Sequence, residues 1–141
     1  MPSTAMRERS VSRRYGRELT APRDARAQAG RALRNWGLDD HVQELELIVT
    51  ELVTNAIRHG AGPVEICLSR EHPYLHVEVH DDGPGRLVRR HATPEDESGR
   101  GLTVIDDLIR PYGGSLVVVD DETGPGKTVC VSVLFPDGPQ R

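Results

Sequence analysis

Glu51 and Asn55 stand four residues apart in ELVTNAIRHG, residues 51–60, the spacing that sets two side chains one above the other on one face of a helix. A carboxylate and an amide so placed offer polar oxygens to whatever lies beside that helix, and the same chain carries three glycine-bearing stretches further on. In DDGPG, Asp81 follows an apolar run and precedes Gly83 and Gly85. A carboxylate there can accept a hydrogen bond from a buried amine, while the glycines let the chain turn tightly. In SGRGLTVIDDL, Gly99 and Gly101 leave backbone N–H groups uncovered where a helix begins, which is a seat for phosphate. In GKTVCV, Gly126 precedes a strand and Thr128 sets a hydroxyl on the sheet, toward the same pocket in this reading. Each stretch alone reads as an ordinary turn or helix start; their order is what carries information. Lys127 is the only lysine in the chain, so the phosphate loop in which a lysine follows the glycines into a helix is excluded.

The elements that must hold these residues follow from periodicity. With 141 residues one compact domain is expected. Residues 1–12 are polar and Arg-rich, without periodicity, and read as a mobile N-terminal tail; 13–136 form the domain and 137–141 a C-terminal tail. Thr20 offers a cap and Pro22 suits a first turn, so RDARAQAGRALRNW is expected to run helical up to Gly37. Asp40 and Gln43 have capping-box spacing before a second helix whose apolar face is Leu45, Ile48, Val49, Leu52 and Ala56, ending at Gly60. VEICLSRE and YLHVEVHDD alternate as adjacent antiparallel strands around the break HP. A long Gly- and Pro-rich segment from Gly83 to Gly101 reads as a lid or binding loop. A short helix then precedes a second strand pair, GSLVVVDD and GKTVCVSVLF, around the turn ETGP. This order predicts an α+β fold, a two-layer sandwich with a largely antiparallel sheet covered on one face by helices.

Cys67 and Cys130 lie in separate apolar runs without metal-ligand spacing and are expected to be buried free thiols. Residues 1–35 carry nine arginines against three acids, and the remainder nine basic residues against nineteen acids. That basic head lacks the interleaved aromatics that nucleic-acid stacking uses, so direct nucleic-acid binding is not expected. No apolar run reaches membrane-spanning length and no secretion signal is evident, which together point to a cytoplasmic protein without a membrane partner.

The four motifs, in this order, resemble the nucleotide-binding signature of the GHKL superfamily, the Bergerat ATP-binding fold, from about Arg14 to Phe135. ELVTNAIRHG is especially similar to the anti-sigma factor serine/threonine kinases. The resemblance implies ATP and Mg2+ as cofactors. Asp81 would receive the adenine amino group, with Thr128 in support, and Gly83 and Gly85 would let the base approach. Asn55 would hold the magnesium, since an amide oxygen is a hard ligand and magnesium takes few protein ligands. Glu51 would be the catalytic base for an attacking hydroxyl. Gly99, Arg100, Gly101 and Leu102 would line the phosphates, Arg100 standing in for the missing lysine, and the segment between would be the ATP lid. His59 is read as closing the helix rather than taking part in transfer.

The same resemblance implies a serine protein kinase that binds a sigma factor and phosphorylates a STAS-type anti-sigma antagonist, so that partners switch. A homodimer follows by analogy with related kinases. The alternative is a nucleotide-dependent binding module without significant phosphotransfer. A detached catalytic domain of a histidine kinase is disfavoured, since no helical hairpin with a phosphoacceptor histidine precedes the module.

Overall fold

The computed structural model describes residues 9–83 and 105–136. Five strands form one sheet: β1 (Arg9–Tyr15), β2 (Val64–Glu71), β3 (Tyr74–Asp81), β4 (Ser115–Asp120) and β5 (Lys127–Leu134). Their spatial order is β1-β2-β3-β5-β4, and every pairing is antiparallel. Two helices, α1 (Ala21–Asn35) and α2 (Val42–His59), cover one face. The two-layer α+β sandwich expected from the sequence is therefore the fold.

Strand alternation explains which face they cover. Val64, Ile66 and Leu68 of β2, Leu75, Val77 and Val79 of β3, and Val129, Val131 and Val133 of β5 are buried in one core. The register sets Leu68 beside Val77 and Val77 beside Val131, so these residues share a face. Against them α1 places Ala21, Ala25, Ala29, Ala32 and Leu33, and α2 places Leu45, Ile48, Val49, Leu52, Val53 and Ala56, stripes with helical period. Alanines on α1 let the helix lie close to its neighbour. Residues 105–109 are helical, and Ile105 and Ile109 complete the core.

Three local expectations differ from the structure. Residues 9–12, assigned to a mobile tail, are paired in β1, with Arg9 opposite Arg70 and Ser12 opposite Cys67. An edge strand needs only one partner and one buried face, and Val11 and Tyr15 supply that face against the core. The Asp40–Gln43 capping box does not form. Asp39–His41 is a 3-10 turn, and His41 occupies the cap position without a side-chain cap bond. Its ring instead stacks on Phe135, with centroids 4.0 Å apart, and that packing fixes the helix entry. Thr20 stands at the cap of α1 but also makes no side-chain cap bond, while Pro22 sits in the first turn as expected.

Candidate functional site

The C-terminal end of α2 and the end of β3 meet in a joint built from glycines. A Cβ on Gly60 would lie 2.4 Å from the Asp81 carboxyl carbon, and one on Gly83 would lie 2.6 Å from the Gly60 Cα. Any side chain at either position would therefore push helix and strand apart. The Asp82 N–H donates to the Ala61 carbonyl at 2.8 Å and locks the two segments together. Arg17, from the turn between β1 and α1, reaches across to the open end of α2. Its guanidinium donates to the carbonyls of Ala56 (3.0 Å) and Ile57 in the last turn and of Gly62 (3.3 Å) just past it, adding to the bond that the Gly60 N–H already makes to Ala56. The role given to His59 from sequence is thus taken by Arg17, and His59 is exposed.

Asp81 is 2% exposed and Lys127, directly opposite on β5, is 4% exposed. The Lys127 ammonium lies 3.0 Å from Oδ1 and 3.1 Å from Oδ2 of Asp81, and the Gly83 N–H donates to Oδ1 at 2.7 Å. A lysine is buried only when it is paired; here the pair closes the end of the sheet beneath α2.

Thr128 is not part of this cluster. Side chains alternate along β5, and Lys127, Val129, Val131 and Val133 are buried on the helix side. Thr128 therefore points to the opposite face, where its strand neighbours are His80 and Val119. The expected support of Asp81 by the Thr128 hydroxyl is corrected on this ground, and Lys127 occupies that place. The signal was available: the two-residue period of the valines in KTVCVSV already sends the lysine inward.

Glu51 and Asn55 lie on α2 as expected, both half-buried at the margin of its apolar stripe. The Nδ2 of Asn55 is buried and has no hydrogen-bond partner among the described residues. A buried amide without a partner costs about 1 to 3 kcal/mol, so a fold that keeps one has a use for the amide elsewhere. Gly85, Gly99, Arg100, Gly101 and Leu102 lie outside the described residues. The site thus gathers a buried amide nitrogen without a partner among the described residues, a carboxylate one turn earlier on the same helix, and a glycine-walled carboxylate at the neighbouring strand end.

The uncovered face of the same strands carries a different set. His80 Nε2 lies 3.0 Å from Asp121 Oδ2, and that hydrogen bond holds the His80 pKa above its ordinary value against the effect of burial. Thr128 and His80 line a shallow hollow of about 530 Å³ with Glu65, Cys67 and Glu78. Cys67 and Cys130 are free thiols, as expected, but both are half-buried rather than buried; burial, with Glu78 adding to it, pushes the Cys130 thiol up.

A helix-backed antiparallel sheet with a glycine-walled carboxylate at one end defines the α+β sandwich class. Residues 17–132 match the family described as Histidine kinase-like ATPase domain, and the chain belongs to that family, the GHKL group that its motifs resemble. The anti-sigma F factor of Geobacillus stearothermophilus is 32% identical, over 68% of this chain and 71% of that protein. The sensor histidine kinase DcuS of Escherichia coli K12 is 31% identical, over 67% of this chain and 19% of DcuS; the chain thus spans about a fifth of that sensor kinase. Among solved structures, the RsbU and RsbW domains of Rv1364c from Mycobacterium tuberculosis superpose with a TM-score of 0.64 at 15% identity, covering 89% of this chain and 32% of that one. Full-length ShkA in complex with AMPPNP gives 0.56 at 22% identity, covering 70% and 23%. At these identities the structural likeness is one of fold. Among the described residues no helix is long and apolar enough to cross a membrane.

Proposed function

We propose that this chain binds ATP with magnesium at the α2–β3 joint and acts as a cytoplasmic serine protein kinase of the anti-sigma factor type, phosphorylating a STAS-type antagonist and holding a sigma factor by partner switching. The observation that carries the nucleotide site is the partnerless Asn55 amide on α2, next to a carboxylate walled by Gly60 and Gly83. The resemblance to an anti-sigma F factor over 71% of that protein's length supports the regulatory assignment, and the AMPPNP complex of a structural neighbour supports an adenine nucleotide.

In this reading Asp81 Oδ2, which carries only the Lys127 contact, accepts the adenine amine. Asn55 would hold the magnesium through its amide oxygen, and its Nδ2, without a partner among the described residues, would be a donor for phosphate oxygen. Bound magnesium would supply charge neutralisation at the phosphates. Among the described residues no group of three or more His, Cys, Asp or Glu side chains could hold a metal, consistent with a magnesium held mainly by phosphate and water. Glu51 takes the proton of the attacking serine hydroxyl as its oxygen bonds to the γ-phosphorus and ADP leaves.

Transfer of labelled γ-phosphate from ATP to a serine of a STAS-domain protein tests this reading. The parent should transfer, and Glu51→Ala should keep most of its MgATP affinity while transfer falls roughly 10²- to 10⁴-fold. Normal transfer by Glu51→Ala removes the base assignment. Tight MgATP binding by the parent with no transfer to any STAS partner makes the chain a nucleotide-dependent binding module.

A further inference from the structure

The buried ion pair at the end of the sheet leaves two hydrogen-bonding groups side by side. A carboxylate offers about four acceptor positions and an ammonium three donors. Among the described residues, Oδ1 of Asp81 is engaged by both the Gly83 N–H and Lys127, whereas Oδ2 is engaged by Lys127 alone. Lys127 has no acceptor other than Asp81 among the described residues. An unused lone pair on Oδ2 and an unused proton on Nζ thus stand next to each other at the joint.

An acceptor beside a donor is the complement of one edge of adenine, whose amine donates and whose ring nitrogen N1 accepts. Resting on the nucleotide reading above, we infer that Lys127 is a specificity-determining residue that donates to N1 of the bound adenine while Asp81 accepts from its amine. A hydroxyl at this place could turn to donate or accept. An ammonium can only donate, so Lys127 makes the requirement for an acceptor at N1 strict. The hydroxyl of Thr128 is on the other face of the sheet and is not available for the task. Lys127 also holds the Asp81 carboxylate in place, so the two readers of the base are oriented before it arrives.

The single lysine makes the inference directly observable, because protein labelled with ¹⁵N at lysine Nζ reports one side chain. The full chain is titrated with ATP and with 1-deaza-ATP, which keeps the amine but carries C–H in place of N1. ATP should shift the Lys127 Nζ resonance, and 1-deaza-ATP should bind the parent roughly ten- to hundredfold more weakly and leave the resonance near its nucleotide-free position. In Lys127→Met, checked for folding by circular dichroism, the two nucleotides should bind alike. Equal affinity of the parent for both, with an unmoved Nζ resonance, overturns the inference while leaving the nucleotide site intact. So does tighter ATP binding by Lys127→Met with discrimination preserved, since Lys127 would then only compete for Asp81. If the parent binds neither nucleotide, the proposed function fails as well.

Discussion

Neighbouring residues of β3 build two acid–base pairs on opposite faces of one sheet, one with Lys127 of β5 and one with Asp121 just past β4. Asp81 and Lys127 meet under α2, at 2% and 4% exposure. One residue back on β3, His80 meets Asp121 on the uncovered face, where the side chains are 26% and 33% exposed. The contact distances are nearly the same, 3.0 Å in each case. The surroundings differ, and the surroundings decide what each pair does. Under the helices, water cannot solvate a charge left alone, so each partner depends on the other. On the open face water substitutes for a lost partner, and the pair is a modest, pH-dependent tie.

The largest effect should come from breaking the buried pair. Lys127→Met keeps the length of the stem but strands the Asp81 carboxylate, and should cost about 3 to 5 kcal/mol of unfolding free energy. Adding Asp81→Asn should recover much of that loss, because no uncompensated charge then remains. Denaturant titration of both single variants and the double measures the coupling. For the same reason Asp81→Asn alone is expected to destabilise the nucleotide-free protein, since it leaves the Lys127 ammonium without its counter-charge. Additive losses in the cycle would erase the contrast between the faces.

Next in size is Arg17→Ala. It removes charge-assisted hydrogen bonds to three carbonyls at the end of α2, and should cost about 1.5 to 3 kcal/mol. Hydrogen exchange should show faster opening of the last turn of α2 than of its middle.

On the open face, a group whose folded pKa is raised stabilises the fold below its unfolded pKa and ceases to do so as pH rises through the folded value. The His80–Asp121 pair raises His80. Its contribution should therefore be present below an unfolded imidazole pKa of about 6.5 and disappear in mildly alkaline solution. Asp121→Asn should lower the midpoint of thermal unfolding at pH 5.5, by the equivalent of less than about 1 kcal/mol, and leave it unchanged at pH 8.5. A loss independent of pH would show that the contact acts by packing instead. Smallest is Thr128→Ala, expected within about 0.5 kcal/mol of the parent and without effect on ATP affinity in a calorimetric titration, since its hydroxyl faces away from Asp81.

The contrast between faces also explains what could be read from the sequence. Helix α2 and strands β2, β3 and β5 announce themselves through apolar periods of 3.6 and 2, and Asp81 stands where an apolar strand ends. Strand β1 was hidden because an edge strand shows one partly buried face, here only Val11 and Tyr15 among arginines. Arg17 was hidden because its partners are carbonyls 39 to 45 residues away, a contact no local pattern encodes. The exchange of Lys127 for Thr128 was legible in the valine alternation and was overridden by motif resemblance, a case in which a local physical rule outranks a pattern of residue types. In the sequence Gly60 reads as a helix stop and Gly83 as a turn former; their tighter constraint is the contact each makes with the other's segment.

The central claim is that the joint between α2 and β3 is a nucleotide site, and Asn55 tests it most directly. Its Nδ2 is buried without a partner among the described residues, so removing the amide should not weaken the fold; stability bought by such a change commonly comes at the expense of function. The measurement is calorimetric titration of the parent and Asn55→Ala with ATP, with and without magnesium, alongside denaturant unfolding of both. Asn55→Ala should be at least as stable as the parent and should lose the magnesium-dependent part of ATP binding. A variant equally stable with unchanged MgATP affinity, or a parent that binds no ATP, would contradict the account.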